Sequence, residues 1–131
     1  MSSNVKPTES ELEILNILWE KGPCTVREVH EELILTKESG YTTTLKLMQI
    51  MHEKKLLKRD ASSKTHVFEA AVSQQQTQGQ MLKKMIDTVF NGSASQLVMQ
   101  ALGNHKASKQ ELDEIKQYLA EMETKTKRSK K

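Results

Sequence analysis

The chain has 131 residues, 36% of them hydrophobic and 4% aromatic, with a net charge of +3; that length supports one small core plus an appendage too thin to be stable without a partner. No run of ~18 to 20 apolar residues is present to span a membrane, and the opening MSSNVKPTES lacks the basic-then-apolar layout of a signal peptide, so a soluble cytoplasmic protein is expected. A single cysteine, Cys24, excludes an intrachain disulfide framework and any thiolate-based zinc or iron-sulfur cluster, and reads as a half-buried thiol at the edge of a core.

Thr8 followed by Glu11 forms a capping box, which starts a first helix carrying Leu12, Leu15, Leu18 and Trp19 at helical spacing, widened by Ile14 and Ile17, until Gly22-Pro23 stops it. Thr25 and Glu28 repeat the box ahead of a short helix with Val26, Val29, Leu33 and Ile34. The polar stretch TKESG breaks the pattern, and after Gly40 a third helix runs to about Lys55 with Thr44, Leu47, Met48 and Met51 inward. Leu56 to Arg59 and Thr65 to Glu69 read as strands joined by DASSK, with Leu57 and Val67 facing the core and Lys58 and His66 facing out. Three helices followed by a hairpin make a mostly α fold with a small β-hairpin: winged helix-turn-helix topology over residues 1–72.

Beyond Val72 the composition turns polar. Ser73 with Gln76 caps a fourth helix bearing Met81, Leu82, Met85, Ile86 and Val89, ended by Asn91-Gly92. Ser93 with Gln96 caps a fifth, carrying Leu97, Val98 and Leu102 up to Gly103-Asn104. Ser108 with Glu111 caps a sixth, where Leu112, Ile115, Leu119 and Met122 recur at the three- and four-residue spacing of a helix-pair seam. Three such helices have too little mutual surface to stand alone, so residues 73–124 read as a dimerisation segment of a homodimer; the alternative is that they fold back on the winged helix of the same chain. Residues 125–131 form a basic tail expected to be disordered.

Positive charge is concentrated. Residues 1–72 hold 10 basic and 11 acidic side chains, whereas residues 37–68 hold 7 basic and 3 acidic, and the excess brackets the third helix and the hairpin. In that frame Thr42 and Thr43 meet phosphates while Lys46 and Gln49 reach base edges in the major groove. Lys64 and His66, with Ser62 and Ser63, lie along the adjacent backbone, and Lys54, Lys55, Lys58 and Arg59 supply sequence-independent attraction. No enzymatic constellation competes with this. His30, His52, His66 and His105 lack metal-ligand spacing, the glycines stand singly, and the acidic pairs sit on solvated helix faces, so neither an enzyme nor a cofactor is expected. The remaining alternative is a winged-helix module that docks proteins through apolar Leu45 and Ile50.

Several segments resemble the penicillinase-repressor (BlaI/MecI) family of bacterial winged-helix regulators, which also includes copper-responsive members. ELEILNILWEKG is similar to its opening signature, GYTTTLKLMQIMHEKKLL to its recognition helix, RDASSKTHVFEA to its wing, and VFNGSASQLVMQAL with the last helix to its dimerisation region. The resemblance covers Thr8 to Met122. It implies a homodimeric transcription repressor on a palindromic double-stranded DNA operator, with Thr42, Thr43 and Lys46 where family members contact DNA. Leu45 and Ile50 replace arginines of the better-known members, so Leu45 is placed to pack on a thymine methyl and a different operator is implied. Antibiotic-responsive members are inactivated, through a membrane sensor protease, within a Leu-Val-Leu-Asn-Phe segment. The matching run here is Leu97-Val98-Met99-Gln100-Ala101, so Gln100 and Ala101 flank the implied cut and both differ from the family pattern. The cysteine-rich motif of the copper-responsive members is absent, which excludes copper sensing through it.

Overall fold

A computed structural model describes residues 6–129. Among these the order is α1 (Glu9–Lys21), α2 (Val26–Leu33), α3 (Tyr41–Glu53), β1 (Leu57–Asp60), β2 (Val67–Ala70), α4 (Gln74–Thr88), α5 (Ala94–Asn104) and α6 (Lys109–Ser129). The chain divides into two compact units between Lys84 and Met85, inside α4 and downstream of the 72/73 boundary drawn from composition. No helix among the described residues is long and apolar enough to cross a membrane.

Both capping boxes form as spaced. Thr8 and Glu11 exchange hydrogen bonds at 2.9 and 3.2 Å, and Thr25 and Glu28 at 2.8 and 3.1 Å, so each side chain satisfies a backbone N–H that the helix itself leaves open. Gly22 ends α1 with φ +84°, a left-handed conformation that glycine adopts without a Cβ penalty. α2 stops at Leu33, one residue before the expected apolar position Ile34, which is instead the exposed C-cap.

The first unit holds the core: Ile14, Leu15 and Leu18 of α1, Val26, Val29 and Leu33 of α2, Met48 and Met51 of α3, then Cys24, Leu56, Leu57 and Phe68. The hairpin pairs Leu57 with Ala70 and Arg59 with Phe68, which puts Leu57 and Phe68 on the same face. The expected inward residue Val67 is therefore only half-buried, and Phe68 takes the core position at 3% exposure. The cause lies outside the hairpin. Phe68 exchanges both backbone hydrogen bonds with Cys24, at 2.8 and 2.9 Å, which fixes the strand's register against the α1–α2 connection. Cys24 is buried, and desolvation, reinforced by Glu28, pushes its thiol above its ordinary range. Trp19 Nε1 donates to the Val72 carbonyl at 2.9 Å and ties α1 to the chain leaving the hairpin.

α3 ends in a left-handed turn at Lys55 (φ +68°). The Leu56 N–H reaches the Met51 carbonyl at 2.9 Å and the Lys55 N–H reaches His52 at 3.1 Å, the paired bonds of a Schellman stop, with Leu56 and Met51 both buried. This turn delivers the chain directly into β1.

In the second unit Ser93 accepts from the Gln96 N–H at 3.2 Å and Ser108 from the Glu111 N–H at 3.1 Å, the caps their spacing predicts. α6 runs on to Ser129, so residues 125–129 of the basic tail are helical rather than disordered. Lysine and arginine are good helix formers, and cations are favoured at a helix C-terminus. The last two residues of that tail lie outside the described residues.

Candidate nucleic-acid interface

The two faces of α3 are chemically opposed. Thr44, Met48 and Met51 are completely buried, while Thr42, Thr43, Lys46 and Gln49 are exposed on the other side. Helical periodicity forces this split, because residues three and four apart share a face. The buried threonine is satisfied: its hydroxyl donates to the Gly40 carbonyl at 3.5 Å and lies 3.0 Å from His30 Nδ1 on α2. Leu45 borders the inward face, packs against the core and is half-buried, so the expected thymine contact is available only to its outer edge. Ile50, 39% exposed, is an apolar side chain that α3 presents to solvent, as is Tyr41 at its start.

Two more residues stand at the start of α3. Tyr41 meets His30 edge to face at 5.6 Å, and the Arg27 guanidinium lies 5.6 Å from the centre of the Tyr41 ring. Neither was singled out from the sequence, because a tyrosine at a helix start and an arginine on a neighbouring helix make no local pattern.

The wing carries Lys58 and Arg59 on β1 and Lys64 and His66 near its tip, all exposed. Its turn is organised by its own side chains. Asp60 accepts from the Ser62 N–H at 3.0 Å, which holds its carboxyl below the usual carboxylate range, and the Ser63 hydroxyl donates to the Thr65 carbonyl at 2.8 Å. Lys46, Lys55, Lys58, Arg59 and Lys64 thus present cations on α3, its terminal turn and the wing. Lys54 does not join them. It binds both oxygens of buried Glu11 at 2.8 and 2.9 Å and is a strut between α1 and α3.

The second unit has exposed apolar stripes and no buried apolar side chain among its described residues. Leu112, Leu119 and Met122 of α6 are 40%, 54% and 48% exposed, with Ile115 half-buried. On α5 Val98 is exposed and Leu97 and Leu102 are half-buried; Met85 of α4 and Val89 just beyond its end are exposed, and Met81, on the part of α4 in the first unit, is half-buried. Gln100 and Ala101 are exposed and lie inside α5. No group of three His, Cys, Asp or Glu among the described residues is placed to hold a metal ion.

The family model described as Penicillinase repressor matches residues 7–121. The chain belongs to the penicillinase repressor family. This repressor is 20% identical over 124 residues to the penicillinase repressor of Staphylococcus aureus, covering 95% of this chain and 98% of that one. It is 22% identical over 112 residues to the methicillin resistance regulatory protein MecI of Staphylococcus epidermidis, covering 86% and 91%. Among solved structures, a ZitR mutant of Lactococcus lactis aligns with a TM-score of 0.46 at 20% identity, over 95% of this chain and 78% of that one. Its family makes the protein a transcriptional repressor, its three helices and hairpin stand in winged-helix order, and the curated relatives it matches are regulators.

Proposed function

We propose that this repressor acts as a homodimer on a two-fold operator, each copy laying α3 in a major groove and its wing along the neighbouring backbone. The observation that carries the reading is the division of α3 into a face locked in the core and a face of exposed threonine, lysine and glutamine side chains. Short hydroxyls suit phosphate oxygens, whereas Lys46 and Gln49 can reach the donor and acceptor edges that distinguish base pairs. Two identical recognition helices call for two related half-sites, about one helical turn or a multiple apart. The uncovered apolar stripes on α4, α5 and α6 support the dimer, because their water-exposed area is removed when a second copy packs on them.

Relief of repression by a regulatory protease at Gln100-Ala101 would require α5 to open, since both residues are inside its hydrogen-bonded span. The flanking residues also differ from the family pattern, so a protease acting here has its own specificity.

Exposed Ile50 favours the one competing reading, an apolar surface for docking another protein. Heparin retention and duplex affinity measured against salt separate the two. A phosphate binder loses affinity linearly in log-log form with a slope near −0.9 per neutralised phosphate. Affinity that is insensitive to salt would transfer the α3 face to protein docking.

A further inference from the structure

We propose that Arg27, laid on Tyr41 at the junction of α2 and α3, is a ligand for a DNA backbone phosphate. The inference rests on the operator-binding reading above and adds to it an anchoring residue outside α3 and the wing. Arg27 is the second residue of α2. A cation there opposes the helix macrodipole, which favours negative charge in the first turn, so the position is a poor one for stability alone. Among the described residues Arg27 has no carboxylate partner and is exposed, yet its guanidinium is held 5.6 Å from the centre of the Tyr41 ring. A cation–π contact uses up no N–H donor in a hydrogen bond, and the guanidinium fork matches two oxygens of one phosphate.

The platform beneath it is built from both helices. Tyr41 is braced on a second side by the His30 ring at 5.6 Å and 83°, and His30 in turn meets the buried Thr44 hydroxyl at 3.0 Å. Tyr41 is the first residue of α3 and stands next to Thr42 and Thr43, the proposed phosphate contacts. A guanidinium fixed there sits beside the backbone that α3 must approach to enter a groove. It also holds fewer rotamers than a free arginine and loses less entropy on binding.

The test is duplex affinity against salt for the full chain and for Arg27→Gln, Arg27→Lys and Tyr41→Leu, on the selected operator and on a scrambled duplex. The expected result is that Arg27→Gln weakens both duplexes by the same factor, on the order of tenfold at moderate salt, and reduces the salt slope by about 0.9 for each copy bound. Arg27→Lys keeps the slope but binds less tightly, since it retains the charge without the fork. Tyr41→Leu, with its helix content checked by circular dichroism, weakens binding while leaving the slope nearly intact. An unchanged slope and affinity in Arg27→Gln would overturn the phosphate contact alone, as would a loss confined to the operator, which marks a base contact instead. Absence of salt-dependent DNA binding by the unaltered protein would overturn the operator reading and this proposal with it.

Discussion

Glu11 has two structural roles that a surface glutamate could not fill. Its side chain completes the cap of α1 by accepting the Thr8 N–H, and it receives Lys54 on both oxygens while only 3% exposed. A buried carboxylate stripped of its cation retains the desolvation cost without the compensating attraction. Lys54→Met is therefore expected to lower stability by about 1–3 kcal/mol, the lower end applying because the lysine is itself partly exposed. Urea denaturation measures that loss, and the salt slope for DNA should stay as it was, since Lys54 is occupied within the fold. The spacing of Thr8 and Glu11 disclosed the cap, whereas the long-range partner had no local signature. The same limit applies to Phe68. Alternation in THVFEA is compatible with Val67 or Phe68 facing inward, and the choice is made by backbone bonds to Cys24, distant in sequence.

At the scale of elements, helix starts were the most legible feature because capping is chemistry between residues three apart. Stops were read less well. Gly22 announces its turn, whereas the stop expected at about Lys55 is a left-handed turn on a side chain that disfavours it, so the position was legible and the turn's geometry was not. Lys55→Gly should stabilise the fold by up to about 1 kcal/mol, seen as a higher thermal midpoint, because glycine removes the Cβ conflict there. The division of α3 was legible from its period, except at Leu45, where residues bordering a buried stripe have no sharp allegiance. Opposite behaviour is predicted for two lysines on different elements. Lys46→Ala on α3 should erode discrimination between operator and scrambled DNA by about 1–3 kcal/mol. Lys64→Ala at the wing should weaken both duplexes alike and lower the salt slope by about 0.9 per copy. Parallel equilibrium titrations distinguish the two, and an unchanged preference in Lys46→Ala would mean that another face reads the bases.

For the whole molecule the decisive asymmetry is between a first unit with a continuous core and a second unit with no fully buried apolar side chain among its described residues. Composition anticipated that contrast, because three short amphipathic helices bury too little surface for independent stability. The residues bearing the stripes were legible from their spacing, while what covers them is not a property of any local pattern. Leu119→Glu puts a charge into the proposed seam and should yield monomer by light scattering, with operator affinity reduced at least 100-fold or so through loss of linkage between two binding modules. Monomer that still held its operator tightly would remove the need for the dimer.

The central claim, a dimer reading a two-fold operator through α3, is tested most directly by selecting genomic fragments with the purified protein at moderate salt and sequencing those retained. The account predicts one inverted repeat, with half-site centres about one helical turn or a multiple apart. Recovery of no common motif, with all fragments released uniformly as salt rises, would contradict it.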